Sequence, residues 1–319
     1  MGMASKFAVS TLLALTFSLV ASSASGQTLM EKEREVSPKV AARLRLASQA
    51  LRFVRKGIPY SGNQQEALVK TKGNSHYRMK LARTTSVAGR VPEMRGMAAK
   101  DPLAARGAVI ACTGGGNCGE NATLALQFLK GVGANQTFTK AGVEGVDHAF
   151  VLIGDLKNDP FHEIVVVDAW VTHPQPLLYS DFVFQKERSK IRSFEVVKPS
   201  TKAAANEARQ ARRTMTRGLR KSFKAKPSPL MTQTTAKPND LPGIWNQAHA
   251  GKFKFKYTVR GDNGKLKPVR LTYALSKDIP AELKKRRRTT VRTTTGGRVR
   301  TPRARTATRQ QPRARRTGR

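Results

Sequence analysis

Two cysteines, Cys112 and Cys118, are all that the 319 residues contain. So few exclude a disulfide scaffold and a four-cysteine zinc site. A single bridge between the two, across the intervening glycines, stays open. Acid is scarce as well: 21 Asp and Glu stand against 59 Lys and Arg, a formal net charge of +38. Aromatic residues make up 6%, and none lies beyond Lys284, which argues against base stacking on single strands there. Past Ala21 no apolar run is long enough to cross a bilayer, which takes about 20 residues.

The shortage of acid is uneven. Between Asp101 and Gln185 nine acidic residues outnumber four basic ones, so the remainder of the chain carries +43. This predicts a near-neutral folded core between cationic segments. Such segments attract polyanions: nucleic acid, anionic lipid or an acidic polymer.

Residues 1–26 read as a secretory signal. Lys6 gives a positive start, Phe7 to Ala21 is mostly apolar, and Ser22-Ser23-Ala24-Ser25-Gly26 offers small residues for cleavage. The expected location is therefore secreted or periplasmic. An uncleaved anchor, or a leader read by a dedicated secretion machine, is the alternative.

Residues 27–100 are expected to form a basic helical region. From Glu31 to Lys56 the chain is helix-prone, broken at Pro38, with Val40, Leu44, Ala47, Leu51 and Val54 on one stripe. Residues 57–92 read mostly as loop, and Pro92 to Ala108 as a short helix. Residues 101–199 are the expected core. Thr113-Gly114-Gly115-Gly116 makes a sharp loop, and Asn117-Cys118-Gly119-Glu120 opens a helix that Gly131 and Gly133 end. Ala149 to Ile153 and Ile164 to Val167 form an antiparallel hairpin buried on both faces, turning at Asn158-Asp159-Pro160. Leu177 to Phe184 offers a further strand. Residues 200–242 read as a basic linker with a helix from Ala203 to Leu219, and 243–283 as a small basic β-hairpin around Gly261-Asp262-Asn263-Gly264. Residues 284–319, with fifteen Lys or Arg and no acid, are an Arg-rich tail expected to be disordered.

The chemistry gathers on three residues. A nucleophilic cysteine has to be a thiolate near neutral pH, and a helix N-terminus favours that charge. Asn117 is a good N-cap, Glu120 completes a capping-box pattern, and Cys118 follows as the first helical residue. A thiolate also needs a base, and the base an orienter. His148 stands just before the first hairpin strand and Asp168 just after the second. A register pairing 148 with 168, closing near Gly154 and His162, puts both side chains on one face. A zinc site from Cys118, His148, His162 and Asp168 is a weaker reading, because no two of them show the short paired spacing of zinc ligands. No cofactor or metal is expected.

The strings Gly116-Asn117-Cys118-Gly119-Glu120-Asn121-Ala122, Asp147-His148-Ala149-Phe150 and Val167-Asp168-Ala169-Trp170 resemble the papain-like and transglutaminase-like cysteine superfamily, in the form found in bacterial effector and toxin domains. The resemblance covers residues 105–185, about a quarter of the chain. It implies an α+β fold in which a small core packs a cysteine-bearing helix on an antiparallel sheet. It also implies Cys118 as nucleophile, His148 as general base and acid, Asp168 as orienter and Trp170 as the aromatic packed beside the acid. The oxyanion-hole Gln of papain-type enzymes would fall six residues before the nucleophile, where this chain has Cys112; Asn117 is then a candidate for oxyanion or cap support. The implied reaction is attack on a protein carboxamide or peptide bond, by a protease or a glutamine deamidase/transglutaminase, with delivery to a host cell as a further implication.

The competing expectation is a non-enzymatic, secreted polyanion- or nucleic-acid-binding protein that carries the same core as a scaffold. Under the enzyme reading, a Cys112–Cys118 bridge formed outside the cell would keep the nucleophile masked until a reducing cytosol is reached.

Overall fold

A computed structural model describes residues 30–132, 135–171, 174–232 and 253–271. The segment expected to be a secretory signal and the Arg-rich tail expected to be disordered lie outside these residues. In chain order the elements are β1 (Met30–Val36), α1 (Pro38–Gly57), α2 (Gln65–Thr71), α3 (Asn74–Thr84), α4 (Val87–Arg90), α5 (Arg95–Lys100), α6 (Pro102–Thr113) and α7 (Cys118–Lys130). There follow β2 (Phe138–Val143), β3 (Val146–Ile153), β4 (Val165–Val167), β5 (Leu177–Leu178), β6 (Ile191–Val197), α8 (Lys202–Ala225), α9 (Pro229–Thr232), β7 (Phe253–Arg260) and β8 (Leu266–Pro268). The fold is α+β.

The central sheet is antiparallel throughout, in the order β5-β4-β3-β2-β6. Residues 149–153 of β3 and 165–167 of β4 are apolar at every position because both faces are covered there. Val151, Ile153, Val165 and Val167 meet α1 and α7 through Leu44, Leu51, Val54, Leu124 and Leu129. Phe150, Leu152, Ile164 and Val166 meet Tyr179, Phe182 and Phe184 on the opposite face. The α1 stripe read from the sequence is this buried face, and Ser37 caps the helix by accepting from the Val40 N–H.

Several expectations are corrected. The hairpin register pairs Val151 with Val167 and Ile153 with Val165, two residues away from the expected pairing of 148 with 168. A slip of two keeps the pleat parity, so His148 and Asp168 still share a face, now as diagonal neighbours. Residues 57–92 carry α2, α3 and α4, and the short helix expected over Pro92 to Ala108 is two helices, α5 and α6, the second running on to Thr113. Leu177 to Phe184 contributes only the two-residue β5 before turning into a 3-10 segment.

The helix expected from Ala203 to Leu219 is present and longer, and it packs on the core instead of serving as a linker. Residues 202–225 form one 24-residue helix. Met215, Leu219 and Phe223 of α8 close a third cluster with Leu81, Val87, Ala108 and Val109. Charge had suggested a linker, but long basic side chains can cover apolar surface while their heads stay wet.

Residues 30–36, expected to be helical, pair in parallel with β7. The strand MEKEREV has little apolar content, and its partner supplies the complement: Glu31 meets Lys254 and Lys256, and Glu35 meets Arg260. The expected hairpin around Gly261-Asp262-Asn263-Gly264 is present as β7 and β8, with Phe255 and Tyr257 buried in the main core. All described residues fall in one compact unit, so the basic flanks up to Leu271 are built around the core rather than hung from it.

A buried ionic clamp fastens α1 to the far turn of the β3–β4 hairpin. Arg43 (3% exposed) donates to Asp159 at 2.6 Å, to Gln136 at 2.8 Å and to the Glu163 carbonyl at 2.8 Å. Lys39 adds contacts of 2.8 Å to Asp159 and 2.7 Å to Glu163. Burial acts to raise the Asp159 pKa, but Lys39, the Asp155 N–H and Arg43 outweigh it and hold the carboxyl down at about 2. A depressed carboxyl pKa contributes stability that is present above the unfolded value near ~4 and lost as pH falls through the folded one. Arg43→Ala leaves Asp159 to Lys39 and the Asp155 N–H but removes the donor to Gln136 and the Glu163 carbonyl, and is expected to lower unfolding stability by about 1–3 kcal/mol in urea titrations at pH 7. The deficit relative to wild type should shrink as pH falls from 4 to 2.

Candidate active site

The Gly114-Gly115-Gly116 loop ends α6 and delivers the chain to α7. Gly114 takes φ +67° as the helix C-cap, a conformation glycine enters without a Cβ penalty. Gly115 is fixed by crowding, since a Cβ there would stand 2.3 Å from the Arg78 carbonyl carbon and 2.4 Å from the Met79 nitrogen. The loop thus lies against the α3 backbone.

Asn117 then caps α7 as its residue type predicts. Its Oδ1 accepts from the Gly119 N–H at 3.1 Å, and Glu120 accepts from the Asn117 N–H at 2.8 Å. Arg83 holds the same carboxylate through two hydrogen bonds, at 2.8 and 3.2 Å. The capping box is therefore anchored from α3. Cys118 is the first residue of the helix and is 5% exposed. Its backbone N–H has no acceptor within the helix, because the first turn never does.

His148 and Asp168 come together as expected. His148 Nε2 lies 2.7 Å from Asp168 Oδ2, and the two residues are 4% and 3% exposed. The other carboxylate oxygen, Oδ1, accepts the Trp170 backbone N–H at 3.1 Å. This short loop holds the carboxylate plane in place. With Nε2 engaged, Nδ1 is the ring nitrogen left for Cys118. Aromatic rings wall the imidazole: Trp170, Phe184 and Phe150 have centroids 5.3, 5.8 and 6.0 Å away.

Burial by itself would lower the His148 pKa. The Asp168 carboxylate overcomes it, and the Cys118 side chain adds both a hydrogen bond and a Coulombic attraction, so the imidazole is held up at about 10. Arg55, at the end of α1, donates to the Val171 carbonyl at 3.0 Å and feels the Asp168 charge. The site thus layers its charges as thiol, imidazole, carboxylate and guanidinium.

The remaining expectations divide. Trp170 is buried, as expected of a packing residue. Cys112 does not approach the site. Its Sγ donates to the Thr216 carbonyl of α8 at 3.3 Å, and burial, opposed by Arg220, pushes its thiol up to about 11. Both cysteines are free. His162 is exposed at the opposite end of the hairpin, so the four-residue zinc reading is not assembled. Among the described residues no other cluster of His, Cys, Asp or Glu has the makings of a metal site.

Sequence reasoning missed the loop 58–64. Gly62 N–H donates to the Gly116 carbonyl at 2.7 Å, two residues before Cys118. Asn63 Oδ1 accepts the Trp170 indole N–H at 3.0 Å, and the Gln64 amide donates to the Trp170 carbonyl. Ser61-Gly62-Asn63-Gln64 reads as turn composition, and nothing in local spacing links it to positions 106 residues away.

Comparisons with protein-family models, with curated proteins and with solved structures give no match to this chain.

A histidine pKa raised in the folded state contributes stability that is full below the unfolded value, near ~6.5, and lost as pH rises through the folded one. The window here runs from about 6.5 up to about 10. Wild-type protein should lose unfolding stability across that window, and His148→Gln should flatten the loss. Urea titrations at half-unit pH steps read both.

Proposed function

We propose that this chain is a cysteine-nucleophile enzyme of the papain-like and transglutaminase-like kind, acting on carboxamide or peptide bonds of proteins. The observation that carries the reading is the buried 2.7 Å contact between His148 Nε2 and Asp168 Oδ2, with Cys118 at a capped helix N-terminus as the histidine's other charged neighbour. Neither an imidazole nor a carboxylate is placed so deep without a partner unless desolvation is repaid by the pair.

The reaction follows from the roles. His148 holds the Cys118 proton, and the thiolate attacks the substrate carbonyl. The tetrahedral oxyanion collapses, His148 passes its proton to the departing ammonia or amine, and a thioester remains on Cys118. Water, activated by the now neutral His148, or a second amine then resolves the thioester. Asp168 stays ionised and fixes the ring. Protease, glutamine deamidase and transglutaminase share these steps. Export through the 1–26 segment, and action as an effector or toxin, are part of the same proposal.

A second reading has one observation of its own. Arg213, Arg217, Arg220, Lys221 and Lys224 are exposed along α8, and they extend the basic character of the 284–319 tail onto the folded unit. This supports a polyanion-binding protein in which the core is a scaffold. Under that reading Cys118→Ala is silent and removal of 284–319 abolishes function.

The enzyme reading is tested by iodoacetamide alkylation of Cys118 in the Cys112→Ser background across pH. Cys118 should be alkylated rapidly at neutral pH, and His148→Ala should slow the reaction by at least about tenfold. Slow alkylation, indifferent to the His148 substitution, would leave Cys118 a structural residue.

A further inference from the structure

The proposed thiolate chemistry needs donors for the oxyanion it creates, and the position where papain-type enzymes keep a Gln is Cys112, which faces α8. We propose that the Asn63 side-chain amide supplies that donor, acting with the Cys118 backbone N–H as an oxyanion hole. The inference rests on the cysteine-nucleophile reading above.

Three features of the 58–64 loop carry it. First, the loop is joined to both halves of the site. Gly62 bonds to Gly116 on the nucleophile side, while Asn63 and Gln64 bond to Trp170 on the histidine and aspartate side. Asn63 lies between these attachments.

Second, the orientation of its amide is determined. An indole N–H can only donate, so the atom facing Trp170 at 3.0 Å is the Asn63 oxygen. Its NH2 group is then turned to the opposite edge. Gln64, by contrast, has its own amide nitrogen committed to the Trp170 carbonyl.

Third, Asn63 is 8% exposed, and no described residue accepts a hydrogen bond from its amide nitrogen. The Asn63 amide nitrogen is not among the polar atoms sealed from solvent, so an incoming group can reach it, and an oxyanion is an acceptor that exists only during reaction. Preorganised donors of this kind stabilise the transition state because they need no reorganisation when the charge appears.

The Asn117 side chain is the weaker candidate for this role: its oxygen serves the helix cap through the Gly119 N–H, and the residue is more exposed than Asn63. The Cys118 N–H, at the first position of α7, is an unspent donor pointing from the helix end.

The step itself is acylation. The Cys118 sulfur forms a bond to the carbonyl carbon, the π electrons move onto oxygen, and the Asn63 NH2 and Cys118 N–H bind that oxyanion. On collapse the bond to the leaving group breaks, and the leaving group departs with the electron pair.

The test compares two reactions of the same sulfur in the full chain carrying Cys112→Ser. Alkylation by iodoacetamide is a displacement at saturated carbon and makes no oxyanion. Acylation by p-nitrophenyl acetate makes one, and releases p-nitrophenolate. Asn63→Ala should leave alkylation unchanged and slow acylation by about 10²- to 10³-fold. Asn63→Asp, which retains an oxygen for the Trp170 indole but no donor, should slow acylation as well.

If acylation is unaffected in both variants, Asn63 is not a donor and the triad reading stands. If alkylation and acylation fall together in Asn63→Ala, the residue only holds the site in shape, and the inference is overturned. Wild-type protein that is alkylated but never acylated also overturns the hole while leaving the thiolate intact. A wild-type Cys118 inert in both reactions overturns the underlying reading and the inference with it.

Discussion

Two ionisable side chains, His148 and Asp168, lie side by side beneath aromatic rings, nearly without solvent. Their mutual attraction has to offset the loss of water on both, and it does so only at hydrogen-bonding distance. Much of the architecture meets that requirement. The β3–β4 pairing sets the two backbones at the right offset. The Trp170 backbone N–H fixes the second carboxylate oxygen, and Asn63 and Gln64 fix Trp170 in turn. The Arg43–Asp159 clamp ties the far end of the hairpin to α1.

Cys118, the proposed nucleophile, arrives from the other direction. The glycine loop is pressed on the α3 backbone, and the capping box of α7 is held by Arg83 from α3. Cys118 is thus positioned by helices and His148 by the sheet. The loop 58–64 joins the two supports through Gly116 and Trp170. Positional precision at a reactive pair comes from such doubly anchored backbone rather than from the pair itself.

What could be read from the sequence follows from the range of each interaction. The α7 start was legible because capping is local: Asn117, Cys118 and Glu120 carry their own geometry within four residues. The β3–β4 hairpin was legible from two apolar runs and a turn. Its register was missed by two, since turn length and not pattern decides it, and the pleat parity protected the conclusion about His148 and Asp168. The MEKEREV strand was illegible because its partner lies more than 200 residues later. The helix of α8 was legible, but its packing on the core was not, because its Arg content masks a sparse stripe of Ala205, Ala208, Met215, Leu219 and Phe223. Asn63 was invisible for the same reason as β1: its importance arises only when Trp170 is brought to it.

The central claim is that a charged imidazole stands between the Cys118 sulfur and the Asp168 carboxylate. Nitrogen-15 NMR of histidine-labelled protein measures this directly at pH 7. The account predicts a His148 ring protonated on both nitrogens, with charge retained beyond pH 8 and lost only toward about 10. A His148 ring that carries one proton at pH 7 and titrates near its unperturbed value of about 6.5 would contradict it.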